Sequence, residues 1–437
     1  MKVVCTAITV LGLFGSPFCF AQESEVGSFE SKVNVQGNVD QTATGEKNTQ
    51  NMDIGGVRGS TVDGRFFSNV EVRGKIEQKI GGSGNEQDLA IGSVTNDQKS
   101  GAASSVGNFE AKEISTGAIK QTLEAGSKNS QTANIGSVTG GSTVNKATIT
   151  KIKTGDISQE ILGGGDNRKQ NLSVGSVDGS TVNGTFEIKD LKTGTITQKM
   201  QGGADSSQTA NIGSVTDGAT VNNASIEKID TGNIKQNIQG GGKENHQRLG
   251  IGAVQGGSVE DFQAKVITGD VTQNIETGSN NKQDALIGTV RNSEAKKVIT
   301  DVNIGNVTQS IKGGSDNEQT LGVGSVDNSR ITGSTFDSKV NTKNISQIAN
   351  GSNNKQTALL GSAQGALITG NAKTDVTVTG NIIQDAKGND NTQDLLLGSV
   401  KNATVGEFNS NVKVKGGITQ SATGSGHTQG ASFGSIR

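Results

Sequence analysis

The chain has 437 residues, a net charge of -2, 30% hydrophobic residues, 3% aromatic residues and 64 glycines. This composition argues against a deep enzyme core, and the small net charge excludes the basic field expected of a nucleic-acid or membrane-surface binder. The one proline, Pro17, and both cysteines, Cys5 and Cys19, precede residue 20. The lack of proline after that point predicts a backbone whose N–H groups are nearly all needed for strand pairing.

The first residues are typical of a secretory signal peptide. Residues 1–21 contain a basic start, an apolar run from Val3 to Phe14 and a small-residue cleavage position at Ala21. Residues 22–28 then form a short mature N-terminus. No later apolar run reaches the roughly 18 residues of a membrane-spanning helix, so we expect no stable membrane insertion.

One repeat unit fills residues 29–437. It reads approximately Gly-x-Ile/Val-x-Gln, a Gly/Asn-rich turn, a second Gln, and an apolar stretch ending in Gly-Ser-Val. Eleven copies follow at spacings of 36 to 43 residues, a period that indicates stacked repeats. The first glutamines are Gln41, Gln78, Gln121, Gln159, Gln198, Gln236, Gln273, Gln309, Gln347, Gln384 and Gln420. The second glutamines are Gln50, Gln87, Gln131, Gln170, Gln208, Gln247, Gln283, Gln319, Gln356, Gln393 and Gln429.

The alternation of side chains predicts strands. Ile157, Gln159 and Ile161 share one face of the first strand, and Gln170 and Leu172 share one face of the second. A third strand precedes each first glutamine. We therefore predict an all-β fold, a β-solenoid or cross-β stack of eleven repeats of about 38 residues with three or more short strands each. One layer or two unlike coils per repeat are both compatible with this pattern.

Both glutamines of each repeat are predicted to point into the apolar interior. A buried amide without a partner costs roughly 1 to 3 kcal/mol. In-register stacking at about 4.7 to 4.8 Å supplies the partner, because each side-chain N–H then reaches the carbonyl of the glutamine in the next layer. The two sets of glutamines are thus the predicted stacking ladders, and glutamines on the surface of an ordinary solenoid are the alternative.

Large and small residues alternate 11 or 12 residues before the first glutamine. Phe29 and Phe66 occupy this position in the first two repeats. From the third repeat it reads Phe109, Ala147, Phe186, Ala224, Phe262, Lys297, Phe336, Ala372 and Phe408. We predict that each ring overhangs the small residue of the neighbouring layer, which favours one repeat per layer.

The turn between the glutamines carries a family resemblance. Gln41, Gly45, Asn48 and Gln50 form Gln-x3-Gly-x2-Asn-x-Gln, and the tenth repeat has the same pattern from Gln384 to Gln393. This resembles bacterial functional amyloids, namely curlin repeats and the Fap-type fibril subunits. The arm is longer than in curlin, Gln50 stands where curlin has Ala, and the dissimilar linkers of Fap repeats are missing. The resemblance implies a periplasmic chaperone, passage through a dedicated outer-membrane pore, and assembly into a fibre at the cell surface.

Catalytic and metal-binding patterns are weak. His246 and His427 occupy turn positions where other repeats carry Ser, Glu or Asn, and too few His and Cys exist for a zinc site. The Gly/Asn/Asp turns share residues with calcium-binding nonapeptides, but their period is about 38 instead of nine, and calcium binding is left open. The isolated acidic pair Glu260 and Asp261 does not indicate a glycosidase. We expect neither enzymatic activity nor a cofactor.

The sequence thus predicts a secreted structural protein whose partner is itself. It would polymerise end to end into extracellular amyloid-like fibres of a biofilm matrix or surface adhesion layer. The second hypothesis is a non-polymerising β-solenoid adhesin or surface stalk. The third, a β-helical polysaccharide-cleaving enzyme, lacks the aromatic and charged groove it needs.

Overall fold

The computed structural model describes residues 2–6, 25–45, 47–96, 102–124, 126–163, 165–203, 205–240 and 242–436. The described residues form strands, bends and turns without a helix, and every strand pairing between repeats is parallel. Most of the predicted signal peptide and the centre of the insertion after Thr95 lie outside the described residues. Lys2–Thr6 pairs with Ser28–Lys32 at the edge of the first repeat.

Four parallel sheets run the length of the molecule, and we name them A to D in the order in which each repeat passes through them. Sheet A holds the long strands and the two N-terminal ones: Lys2–Thr6, Glu25–Val26, Ser28–Val35, Thr61–Val72, Ser105–Thr116, Thr143–Thr154, Thr181–Thr193, Thr220–Thr231, Ser258–Thr268, Glu294–Ile304, Arg330–Thr342, Leu367–Val378 and Thr404–Val414. Sheet B holds the first glutamines: Val39–Thr44, Ile76–Gly81, Ile119–Glu124, Ile157–Leu162, Ile196–Gln201, Ile234–Gln239, Val271–Ile275, Val307–Ile311, Ile345–Asn350, Ile382–Lys387 and Ile418–Thr423.

The other two sheets complete each repeat. Sheet C holds the second glutamines: Thr49–Ile54, Glu86–Ile91, Ser130–Ile135, Arg168–Val174, Ser206–Ile212, His246–Ile251, Lys282–Ile287, Glu318–Val323, Lys355–Leu360, Thr392–Leu397 and Thr428–Phe433. Sheet D is built from two-residue strands: Val57–Arg58, Val94–Thr95, Val138–Thr139, Val177–Asp178, Val215–Thr216, Val254–Gln255, Val290–Arg291, Val326–Asp327, Ala363–Gln364 and Val400–Lys401.

Strand register shows that one repeat makes one coil. Gln121 pairs with Gln78 on one side and with Gln159 on the other, so equivalent residues of consecutive repeats are direct neighbours. We number the coils 1 to 11 by their first glutamines, from Gln41 in coil 1 to Gln420 in coil 11. The predicted β-solenoid is confirmed, and its repeats are single coils, not pairs of coils.

Glycines turn the chain sharply between sheets C and D. Gly92 has a φ of 53°, a left-handed conformation that disfavours a side chain. A Cβ there would also lie 2.7 Å from Cδ1 of Ile114, so the corner has no room for one. The Gly-Ser-Val consensus that ends the repeat in the sequence is therefore a corner that brings the apolar third residue into the core, as at Val94.

The apolar interior is divided by the glutamines. The main core is continuous from coil 1 to coil 11 and is enclosed by the four sheets. A narrower second row lies on the other side of the first glutamines: Ile80, Leu123, Ile161, Met200, Ile238, Ile275 and Ile311. Ile157 belongs to the main core and Ile161 to the second row, so Gln159 between them is held in place by apolar contacts on both sides.

Candidate functional site

The first glutamines form one continuous row of hydrogen bonds, which we call the first amide row. Nε2 of Gln78 donates to Oε1 of Gln41 at 2.9 Å. The same bond repeats through every coil at 2.7 to 2.9 Å, ending with Gln420 donating to Gln384 at 2.8 Å. The glutamines of coils 2 to 10 are at most 1% exposed, which excludes the alternative of surface glutamines.

The second glutamines form a parallel second amide row. Nε2 of Gln87 donates to Oε1 of Gln50 at 3.3 Å, and Gln429 donates to Gln393 at 2.7 Å. The eight intervening bonds measure 2.8 to 3.0 Å. The structure thus brings all twenty-two glutamines of the sequence analysis into two rows, each running through the eleven coils.

Every amide nitrogen of the two rows except that of Gln429 also donates a proton to a backbone carbonyl. Gln121 donates to the carbonyl oxygen of Thr132 at 2.9 Å, across the interior and within its own coil. Gln131 donates to the carbonyl oxygen of Glu160 at 3.1 Å, in the next coil. We call these bonds cross-ties. Rotating an amide by half a turn would place its oxygen against a carbonyl oxygen, so the cross-ties fix the direction of both rows. Every row bond runs from the nitrogen of a later coil to the oxygen of an earlier one.

The phenylalanines form a row on sheet A. Phe186 lies in register between Ala147 and Ala224, and the rings of coils 2, 3, 5, 7 and 9 are at most 1% exposed. The first three rings stack directly, with centroids 5.5 Å apart for Phe29 and Phe66 and 5.2 Å apart for Phe66 and Phe109. Phe262, Phe336 and Phe408 continue the row toward coil 11.

One member of the predicted alternation is wrong. Phe262 and Phe336 both pair with Val298, whereas Lys297 pairs with Asp261 and Thr335. Strand alternation places Val298 in the core, where it is fully buried, and turns Lys297 to the solvent. Val298 lies 11 residues and Lys297 lies 12 residues before Gln309, and both distances fit the sequence pattern. The large–small order survives the correction, because valine is smaller than phenylalanine.

An asparagine row in the turn between sheets B and C was missed by sequence reasoning. Nδ2 of Asn281 donates to Oδ1 of Asn317 at 3.0 Å, and Asn317 donates to Asn354 at 2.8 Å. These bonds run from an earlier coil to a later one, opposite to the glutamines. In coil 11 the position is His427, whose Nδ1 accepts the backbone N–H of Asn391 at 3.3 Å. The predicted turn role of His427 agrees with this placement, and the recurring Asn before the second Gln was the available signal.

A charged notch between the outer faces of sheets C and D was also missed. Arg58 bridges Asp53 and the fully buried Asp88. Burial raises the pKa of Asp88 to about 6, against the opposing effect of Arg58. Burial likewise raises the pKa of Asp178 to about 6, and the neighbouring Asp217 adds to this shift. Asp53 and Arg58 lie on strands of coil 1 and Asp88 lies on a strand of coil 2, so the stacking of the coils brings Asp88 to Arg58.

The two ends of the solenoid differ from its middle. At coil 11 the core-facing side chains Ile418, Phe433 and Ile436 are 39%, 45% and 75% exposed, whereas their counterparts in coil 10 are buried. Within the described residues, no later coil donates to Oε1 of Gln420 or Gln429. At coil 1, Nε2 of Gln41 and Nε2 of Gln50 each make a cross-tie, and neither donates to another glutamine among the described residues.

The described ranges contain no group of three or more His, Cys, Asp or Glu side chains placed to hold a metal ion. Over the same ranges, no helix has the length and apolarity needed to cross a bilayer. Comparison with known proteins found no matching family model, no similar curated protein and no similar solved structure.

Proposed function

We propose that the chain is a structural protein that associates with further copies of itself, end to end, into an amyloid-like fibre. The observation that carries the proposal is the in-register stack of eleven like coils, whose two amide rows repeat the same hydrogen bond from coil to coil as in cross-β structures. Coil 11 presents Ile418, Phe433 and Ile436 to solvent at the end of a core that is otherwise buried.

The strand edges support the same proposal. A strand at the edge of a sheet carries unpaired N–H and C=O groups that template the pairing of another chain. Sheets B and C end in coils 1 and 11, whose outer edges pair with no described residue. Another coil on either edge would receive the same backbone and side-chain hydrogen bonds that every internal coil makes.

The setting of this function is also a proposal. The signal-like residues 1–21 and the resemblance to curlin and Fap-type repeats support export, with a periplasmic chaperone and an outer-membrane pore as transient partners. The fibre would then lie outside the cell, in a biofilm matrix or an adhesive surface layer. The amide rows act in this role as the interior seam of the fibre, so we propose a structural function and no catalysis.

Electron microscopy of the purified, exported chain after incubation tests the proposal. We expect unbranched fibres, a meridional reflection near 4.7 to 4.8 Å, and loss of any lag phase when fragmented fibres are added. Isolated rods that stay monomeric at high concentration, with no cross-β diffraction, would contradict it. That outcome would favour the adhesin or stalk instead.

A further inference from the structure

We propose that the joint between two copies has a single polarity and register: coil 11 of one copy docks on coil 1 of a second copy, as consecutive coils do within the chain. This inference rests on the proposed function, since it specifies how the fibre is joined. The occupant of each open end is thus a second copy of this chain.

The amide rows give the ends complementary chemistry. Coil 1 presents Nε2 of Gln41 and Gln50, and coil 11 presents Oε1 of Gln420 and Gln429, because every row bond runs from a later coil to an earlier one. Docking coil 11 on coil 1 therefore pairs donors with acceptors in both rows. Two coil 1 ends would oppose donors, and two coil 11 ends would oppose acceptors.

Two further bonds agree with this polarity. The second glutamine of each coil sends its cross-tie to the residue after the first glutamine of the next coil, as Gln393 does to the carbonyl oxygen of Ser421. Gln429 lacks a next coil, and the carbonyl oxygen of Thr42 in a second copy takes the equivalent position. In the asparagine row the backbone N–H of Asn354 donates to Oδ1 of Asn391 at 2.9 Å. The N–H of His427 would meet Asn48 of a second copy in the same way.

The two faces also match in spacing. The core positions of coil 1 and of coil 11 follow one another at identical intervals, so that no loop or bulge interrupts the register of a joint. The pairs brought together are Phe29 with Phe408, Val39 with Ile418, Ala43 with Ala422, Met52 with Ala431, Ile54 with Phe433 and Val57 with Ile436.

Side-chain size and charge are compatible across this joint. The large Met52 meets the small Ala431, and Phe29 meets Phe408 as it already meets Phe66, at 5.5 Å between ring centroids. On the outer face of sheet B the register places Asp40 opposite Thr419. The core pairs are all apolar, so contact between the faces removes the exposed Phe433 and Ile436 from water.

Disulfide trapping tests the polarity and the register together. In the exported chain, residues 22–437, which contains neither Cys5 nor Cys19, the matched variant is Asp40→Cys with Thr419→Cys. Directly paired parallel strands place these Cα atoms about 4.8 Å apart across the joint, within disulfide range. The mismatched control is Asp40→Cys with Thr423→Cys, four residues farther along the same strand and about 14 Å away. All three positions are exposed.

Fibres of the matched variant should give a ladder of disulfide-linked oligomers on non-reducing gels after mild oxidation. We expect about tenfold more linked chain than in the mismatched control, and no dimers from the single variants Asp40→Cys or Thr419→Cys. Fibres whose matched and mismatched ladders are equal, or whose single variants dimerise, would overturn the joint and leave the proposed function standing. The absence of fibres under the microscope would overturn the proposed function, and the joint with it.

Discussion

Gln236 donates from Nε2 to Oε1 of Gln198 at 2.7 Å, in the middle of the first amide row. The same nitrogen reaches the carbonyl oxygen of Arg248 at 2.9 Å, and Gln273 donates to its oxygen at 2.8 Å. At 1% exposure, this side chain has all of its hydrogen-bonding groups satisfied by protein. Its replacement is therefore a sensitive test of what the row contributes.

Changing Gln236 to Glu should destabilise the chain by roughly 3 to 5 kcal/mol at pH 7, because an ionised carboxylate would face Gln198 Oε1 and a carbonyl without a proton to donate. Burial raises the pKa of such a carboxyl, so the loss should be smallest below the unfolded value of about 4.3 and grow as the pH rises above it. Urea unfolding at pH 4 and pH 7 measures this difference.

The Gln236→Leu variant should lower the free energy of unfolding by only about 1 to 3 kcal/mol at either pH, since it leaves partners unpaired without burying a charge. The exposed Lys235→Glu is the matched charge control and should stay within about 0.5 kcal/mol of the parent. Equal free energies of unfolding for Gln236→Glu and Lys235→Glu at both pH values would contradict a stabilising role of the amide row. Fibre growth rates of the same variants should fall in the same order.

The phenylalanine row predicts that shortening a buried ring lowers the free energy of unfolding. Phe186 is fully buried between Ala147 and Ala224, so Phe186→Ala would leave three small residues in succession and a cavity. We expect a loss of about 3 to 5 kcal/mol in the free energy of unfolding. The exposed Lys189→Ala on the same strand should change it by at most about 0.5 kcal/mol. A similar small effect of both variants would show that the ring does not fill the space between coils.

Asp88 predicts a pH dependence of stability. Its pKa is about 6 in the folded protein, raised by burial, against about 3.9 unfolded. The folded state therefore binds the proton more tightly than the unfolded state. The contribution of Asp88 to the free energy of unfolding is full below about pH 4 and declines as the pH rises to about 6. In the Asp88→Asn variant, the fall in the free energy of unfolding between about pH 4 and pH 6 should be smaller by up to about 2 to 3 kcal/mol.

Asp178→Asn is the parallel variant, since burial raises the pKa of Asp178 to about 6 as well. The two sites lie in coils 2 and 4 without shared partners, so their effects on the slope of stability with pH should add. Unfolding midpoints in urea at pH 4, 5, 6 and 7 provide the slopes. A slope that neither variant changes would contradict the assignment of proton uptake to the notch.

Removal of the signal-like residues 1–21 should speed fibre elongation. Lys2–Thr6 pairs with Ser28–Lys32 on the edge of sheet A that the joint assigns to Thr404–Val414 of a second copy. A chain that keeps residues 1–21 must displace this strand before its coil 1 can be covered. Seeded elongation should therefore be slower for the uncleaved chain than for the chain cleaved after Ala21. Equal rates would contradict competition for that edge.

The repeat period, the strand alternation and the inward direction of Gln159 and Gln170 were predictable from sequence, because each depends on spacing along one strand. The cross-ties of Gln121 and Gln131 were not, because they depend on the distance across the interior between sheets B and C. The contact of Arg58 with Asp88 likewise joins two coils at a corner that no local pattern describes. The burial of Val298 instead of Lys297 was not predictable from spacing alone, because a shift of one residue in register decides which side chain is buried.

The axial rise of the fibre per subunit tests the central claim most directly. If eleven single coils stack and continue across the joint, helical reconstruction of the fibre should give a rise of about 53 Å per chain, eleven layers at about 4.8 Å. Deleting coil 11 leaves Gln384 and Gln393 as the terminal acceptors, and the rise should shorten to about 48 Å while fibres still form. A rise that does not change with the number of coils, or loss of assembly on deleting this one coil, would contradict the end-to-end stack.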